Sequence, residues 1–175
     1  MLQTALHFSH QLLKEVVEPG DFVIDATMGN GHDTAFLAEL VGPSGEVFAF
    51  DIQKEAIEHT MQRCALFNNI HYILDDHANI RKYVNNADIV LFNLGYLPYS
   101  DKPIITKSDS TIKAIKEAYD ILKTGGYMSI IIYRGHKGGL YEYHAVMQTI
   151  SKYNIIESYK AHTSLTEPVF YIIKK

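Results

Sequence analysis

Only one cysteine, Cys64, stands in the 175 residues, so no internal disulfide can form and core filling is its expected use. No apolar run approaches the ~20 residues that span a bilayer, which leaves no candidate membrane helix. The opening MLQTALHFSHQLLKEVVEPG lacks a basic n-region and a small-residue cleavage site, so no secretory signal is expected. Together these absences point to a cytoplasmic protein. Basic residues are scarce in one half: residues 1–76 hold 3 Lys+Arg against 12 Asp+Glu, and residues 77–175 hold 13 against 8. Chance segregation on a solvated surface explains this, and so does an acidic half facing one ligand and a basic half facing another. There is no repeat, linker or low-complexity segment, and the adjacent acids and scattered histidines lack ligand spacing, so no metal site is expected. What remains suits one α/β domain over residues 1–175, with residues 1–20 as a leading helix.

The positive signal runs from Asp21 to Asp51. Phe22-Val23-Ile24 is a short apolar run ending at Asp25, and Thr27-Met28-Gly29-Asn30-Gly31 is a turn. A helical pattern follows through Phe36, Leu37 and Leu40, and a second apolar run, Val47 to Phe50, ends on Asp51. Gly29 and Gly31 remove side chains where the backbone turns sharply and a ligand can approach. The helix beyond them offers unpaired N–H groups at its start, with Asp33 in its first turn. An acid ending the second strand is placed to accept hydrogen bonds from ribose hydroxyls, so a ligand with an adenosine-like half is expected. A dinucleotide fingerprint would need a third glycine, and Thr34 stands there instead. Asp25 would repel a pyrophosphate yet suit an ammonium, directly or through water. The D-x-x-x-G-x-G pattern therefore resembles motif I of the Rossmann-like S-adenosylmethionine (SAM) methyltransferases, with a nicotinamide dinucleotide as the lesser alternative.

The rest of the chain extends that frame. A helix over residues 3–17 precedes the first strand, could cover part of the cofactor cleft, and carries His7 and His10, read as surface or packing residues. Gln53 to Leu66 is a helix opening beside Asp51, which sets Ile52 and Gln53 near a bound nucleoside. Ile70 to Leu74 is a third strand ending in Asp75-Asp76-His77, where Asp76 and His77 could reach an adenine or cap the next helix; both can hold. Ala87 to Phe92 is the fourth strand, running into Asn93-Leu94-Gly95-Tyr96-Leu97-Pro98-Tyr99. Ligands of doubly wound sheets bind at the carboxyl ends of the strands near the topological switch, here between the first and fourth strands, which aims Asn93 at the site. The arrangement is similar to the (Asp/Asn)-Pro-Pro-(Tyr/Phe) motif of amino-directed methyltransferases, with Leu94-Gly95 in place of the prolines. Ser108 to Leu122 is a helix stopped by Lys123-Thr124-Gly125-Gly126, and Tyr127 to Tyr133 is a fifth strand. Lys102, Lys107, Arg134, His136 and Lys137 are expected on the rim as phosphate contacts, and Tyr96, Tyr99 and Tyr133 as stacking surfaces for bases; a solvated loop edge is the plainer alternative. Leu140 to Tyr153 is helical, and Ile155 to Ala161 with Val169 to Ile173 form a closing antiparallel pair. The fold class is thus α/β, a doubly wound Rossmann-like SAM-methyltransferase fold with a seven-stranded, mostly parallel sheet and a C-terminal hairpin.

DATMGNGHDT, AFDIQ, FNLGYLP, STIKAI and the Y-x-G-H of YRGH resemble the bacterial YtqB-like (MnmM) small methyltransferases over essentially the whole chain. Tyr99-Ser100 stands where that family has Gly-Gly, Arg134 where it has His, and His162-Thr163 and Pro168 where it has Asn-Gln and Pro-Pro. All lie on the substrate side. The resemblance implies SAM as cofactor, S-adenosylhomocysteine (SAH) as product, and methylation of the aminomethyl nitrogen on the wobble uridine of tRNA, giving 5-methylaminomethyl-2-thiouridine. It implies the tRNA anticodon region as partner, with monomer and homodimer both open. Cofactor contacts are expected from Asp25, Met28, Gly29, Asn30, Gly31, Asp33, Asp51, Ile52, Gln53, Asp76, His77 and Asn93. Asn93 and the Leu94 carbonyl would orient the amine, Tyr96 or Tyr133 would pack on the uracil, and His136 would take a proton; Tyr96, Pro98, Lys102, Lys107, Arg134 and Lys137 would contact RNA. An rRNA or small-amine methyltransferase, and an RNA-binding module with a vestigial pocket, are the alternatives.

Overall fold

The computed structural model of the chain describes residues 4–95, 108–160 and 166–175. In chain order it contains α1 (Ala5–Val16), β1 (Phe22–Asp25), α2 (His32–Val41), β2 (Glu46–Asp51), α3 (Lys54–Arg63), β3 (Ile70–Leu74) and a 3₁₀ helix (His77–Lys82). These are followed by β4 (Ala87–Leu94), α4 (Ser108–Ile121), β5 (Leu122–Ile132), α5 (Gly139–Ile150), β6 (Ile155–Lys160) and β7 (Val169–Lys174). The strands form one seven-stranded sheet ordered β3-β2-β1-β4-β5-β7-β6. β1 to β5 pair in parallel, and β7 enters antiparallel between β5 and β6.

Both faces of the sheet are covered, which is why its central strands read as unbroken apolar runs. Successive side chains alternate between the faces. Val23, Ile89 and Leu91 meet Leu13 of α1 and Leu37 and Val41 of α2 on one side. Ile24, Val90 and Phe92 meet Ala114 and Ile115 of α4 and Val146 and Ile150 of α5 on the other. Each such fully buried Val, Leu, Ile or Phe side chain contributes about 1.5–3 kcal/mol. α1 lies against β5 and β7, with Ala5 packed on Ile131, Phe170 and Ile172. Thr4 caps it, its hydroxyl accepting the N–H of His7 at 3.1 Å. A buried hydrogen bond between the Ser9 and Ser129 hydroxyls, 3.0 Å apart, fastens α1 to β5.

One boundary departs from expectation. The segment Lys123–Gly126 belongs to β5, which begins at Leu122, rather than forming a separate stop before a strand at Tyr127. Gly125 donates its N–H to the Lys175 carbonyl at 2.7 Å, and Lys175 donates back to Gly126 at 3.0 Å. Gly126 is required there because a Cβ would lie 2.6 Å from the Asp88 carbonyl. The pairing with β4 shifts register between Ala87 and Ile89 at this point. The glycines thus admit a strand irregularity, a use that a turn signal in sequence does not distinguish from a helix stop.

Candidate active site

The sheet order reverses between β1 and β4, so their carboxyl ends open the crevice that ligands of such sheets occupy. Two hydrogen bonds tie the crevice walls together. Ala26 donates its N–H to the Leu91 carbonyl at 2.9 Å, and Asn93 donates its N–H to the Thr27 hydroxyl at 2.7 Å. Met28 is buried and donates to the Phe50 carbonyl at 2.9 Å, so the turn after β1 also rests on β2.

The glycine turn is held from behind. Gly29 has φ 53° and Gly31 φ 78°, the left-handed region that side chains rarely adopt. A Cβ on Gly31 would sit 2.6 Å from the Thr60 side chain and 2.9 Å from its backbone. The outward carbonyls are engaged: Thr60 Oγ donates to Gly29 at 3.2 Å and Arg63 Nε to Asn30 at 2.8 Å. Gly31 caps α2 without a side-chain bond, leaving first-turn N–H groups at the crevice end of the helix.

The two acids differ in their work. Asp25 is fully buried; one oxygen accepts the Thr27 N–H at 3.1 Å and the other the Thr34 hydroxyl at 2.7 Å. Burial, followed by the Asp33 charge, pushes its carboxyl up to about 7. Asp51 accepts the N–H of Gly29 at 3.0 Å on one oxygen and that of Gln53 at 2.9 Å on the other. Burial raises its carboxyl, opposed by those backbone bonds. The Ile52 N–H also acts on this carboxylate, which keeps acceptor capacity beyond its backbone bonds and so could take a ribose hydroxyl. Beside it Ile52 is 52 % exposed, an apolar surface suited to a purine. Asp76 caps the 3₁₀ helix through the Ala78 N–H at 2.8 Å and accepts the Ser110 hydroxyl at 2.5 Å. His77 is buried, its Nδ1–H donating to the Ala26 carbonyl at 3.0 Å, and burial holds its pKa down. It therefore supports the base of the glycine turn as a neutral ring.

Asn93 is the penultimate residue of β4, with its side-chain Nδ2 donating to Asp33 and its Oδ1 buried without a hydrogen-bond partner. Leu94 uses its carbonyl to accept the Tyr133 N–H at 2.9 Å, which leaves the oxygen's second lone pair for the amine expected there. Tyr133 closes on Gly95, where a Cβ would lie 3.1 Å from Tyr133 Cβ, and burial with the Asp33 charge keeps its phenol protonated. Arg134 departs from the expected rim cation. It is buried, donates Nε to the Glu167 carbonyl at 2.9 Å and lies 5.3 Å from the Tyr143 ring centroid. The chain leading into β7 covers it. His136 Nδ1 donates to the Lys137 carbonyl at 3.2 Å, and Lys137 is exposed. Tyr96, Pro98, Tyr99, Lys102, Lys107 and His162 lie outside the described residues.

Three contributors escaped the sequence reading. Thr27 and Thr60 carry hydrogen bonds that shape the turn, and His10 of α1 reaches Asp33, its Nε2 2.6 Å from Oδ1. No spacing in one sequence links residue 10 to residue 33, although the leading helix was expected to border the cleft. No helix of the described residues is long and apolar enough to cross a membrane, and no cluster of three or more His, Cys, Asp or Glu among them could hold a metal ion.

Sheet order, glycine turn and strand-end acids together place the chain in the Rossmann-like fold class of the SAM-dependent methyltransferases. More narrowly, the chain belongs to the family described as "Putative rRNA methylase", which matches residues 47–174. A protein of Clostridium thermocellum described as a "putative rRNA-methylase" superposes with a TM-score of 0.94 at 37% identity, covering 100% of this chain and 99% of that one. A Streptococcus mutans "putative methyltransferase" solved in complex with SAH superposes with a TM-score of 0.88 at 33% identity, covering 100% and 99%. The Arabidopsis thaliana "tRNA (mnm(5)s(2)U34)-methyltransferase, chloroplastic" is 41% identical over 163 residues, which are 81% of this chain and 57% of the relative. The chain therefore spans little more than half the length of that relative.

Proposed function

We propose that the chain is a SAM-dependent N-methyltransferase that converts the aminomethyl group of wobble 5-aminomethyl-2-thiouridine in tRNA to methylaminomethyl. The observation that carries this reading is the buried, unpartnered Oδ1 of Asn93 near the carboxyl end of β4, where the residue is bonded to Thr27 of the glycine turn and Asp33 of α2. An amine hydrogen is the group such an oxygen accepts, and the 41% identical Arabidopsis protein is named for that tRNA nucleoside. SAM supplies an activated sulfonium methyl for in-line displacement.

The chain's own residues would do the rest by orientation. Asp51 would hold the ribose and Ile52 the adenine, while the first-turn N–H groups of α2 face the amino-acid tail. Asn93 Oδ1 would turn the substrate nitrogen's lone pair toward the methyl, and Tyr133 would line the approach of the base. The nitrogen must be neutral to attack, although a free alkylamine is mostly protonated at neutral pH. His136, whose Nδ1 donates to the Lys137 carbonyl, is the residue that would take that proton in this reading. The anticodon region of tRNA is the partner in this reading. A cytoplasmic location belongs to it too, supported by a lone buried thiol at Cys64.

Methyl transfer from labelled SAM to total tRNA of cells lacking the protein, followed by nucleoside mass spectrometry, tests the proposal. Conversion of aminomethyl to methylaminomethyl thiouridine is expected. Label in another nucleoside would discard the wobble assignment, and transfer to rRNA or a small amine alone would discard tRNA.

A further inference from the structure

Asn93 is fixed at both ends. Its backbone N–H is held by the Thr27 hydroxyl at 2.7 Å, and its side-chain Nδ2 donates to Asp33. An ionised carboxylate accepts hydrogen bonds and donates none, so Asp33 selects one of the two amide orientations. Nδ2 must face Asp33, and Oδ1 must face away from it. Asp33 is itself clamped, since its second oxygen meets His10 Nε2 at 2.6 Å, where the imidazole N–H donates. The His10 ring stacks on Phe36, with centroids 4.0 Å apart and planes 12° apart, which sets its tilt. One residue earlier, Ser9 is bonded to Ser129 of β5 inside the core. α1 therefore delivers His10 from a position anchored to the sheet.

We propose that His10 and Asp33 are positioning residues for methyl transfer, forming a relay from α1 that locks the Asn93 amide with Oδ1 presented to the substrate amine. The proposal rests on Asn93 Oδ1 being that acceptor. It assigns Asp33 away from direct cofactor contact and gives the helix preceding the fold a part in turnover. Misorientation of one acceptor at the reacting centre costs on the order of 100-fold in rate, so the relay acts on kcat. Neither residue touches the methyl donor in this scheme, so SAM affinity is left alone.

The test uses the full chain in five forms: wild type, Asp33→Ala, His10→Phe, His10→Gln and the control His7→Ala. Phenylalanine keeps the stack on Phe36 and loses the hydrogen bond, whereas a glutamine amide can still donate to Asp33. Methyl transfer at saturating substrate, SAH calorimetry, and NMR of the Asn93 side-chain amide protons are read on each. His10→Phe is expected to lower kcat by about 10-fold with SAH affinity within about 3-fold, and His10→Gln to recover most of it. Asp33→Ala should also abolish the slow exchange of the Asn93 amide protons, and His7→Ala, an exposed neighbour on α1, should change nothing. Wild-type turnover and unchanged Asn93 exchange in His10→Phe would overturn the relay. So would loss of SAH affinity in step with kcat. Should wild-type protein transfer no methyl to tRNA, the substrate reading fails, and the Asn93 exchange in Asp33→Ala and His10→Phe decides the relay by itself.

Discussion

Asp51 and Gly29 are joined by a hydrogen bond of 3.0 Å from the glycine N–H to the carboxylate, so the acid ending β2 also fixes the turn following β1. Its other oxygen takes the Gln53 N–H, which makes Asp51 an acceptor on both sides. Asparagine can replace only one oxygen, and its NH₂ would then oppose a backbone N–H. Asp51→Ala is expected to weaken SAH binding by about 100-fold and Asp51→Asn by at least about 10-fold, because both lose the anchor of the turn as well as the proposed ribose contact. Isothermal calorimetry reads this directly. Affinity within about 2-fold of wild type for the asparagine variant would remove Asp51 from the cofactor site.

Gly31 makes a sharper stability prediction. Its φ of 78° disfavours any side chain, and an added Cβ would meet both the side chain and the backbone of Thr60. Gly31→Ala should lower unfolding stability by about 2–3 kcal/mol in urea titration. The double variant Gly31→Ala/Thr60→Ala should recover only part, since the backbone at position 60 would still lie 2.9 Å from the added methyl carbon. Full recovery would mean that side-chain crowding alone, without backbone strain, made glycine necessary.

The frame of this fold is legible in sequence because period and punctuation report local physics. Ile70 to Leu74 is the third strand by its apolar pattern and in the folded chain, and the acids at 25 and 51 end strands as expected. Asn93 likewise sits where the β1–β4 switch predicts. What escapes is the second layer of contacts. Arg134 reads as a solvent-facing cation until β7 brings Glu167 over it, a meeting of residues 33 positions apart. His10 reads as a surface or packing histidine until α1 docks beside α2, bringing it to Asp33. Such pairings depend on how helices settle on the sheet, which spacing within one element does not encode.

Asn93→Ala separates binding from turnover. Removing the side chain takes away the acceptor proposed for the amine and leaves the backbone bond to Thr27 intact. The expected result is at least a ~100-fold fall in kcat with SAH affinity within about 3-fold. A collapse of SAH affinity would make Asn93 a cofactor residue and withdraw it from substrate orientation.

Asp25 predicts how stability changes with pH. Burial first, and the Asp33 charge second, raise its folded pKa from 3.8 to about 7. Below 3.8 the carboxyl is protonated in both states, and the group contributes nothing to the difference. Between 3.8 and about 7 the unfolded chain loses the proton while the folded chain keeps it, so stability falls as pH rises. Above about 7 both states are ionised and the penalty is complete, on the order of 4 kcal/mol. Asparagine keeps an oxygen for the Thr34 hydroxyl or the Thr27 N–H and removes the ionisation. Asp25→Asn should therefore show a flatter stability profile from about pH 5 to 8, with its largest gain over wild type at the alkaline end. Urea titrations of both proteins across that range check it. A wild-type disadvantage that does not grow with pH would show that Asp25 is already ionised in the folded protein throughout the window, held by its two hydrogen bonds against burial.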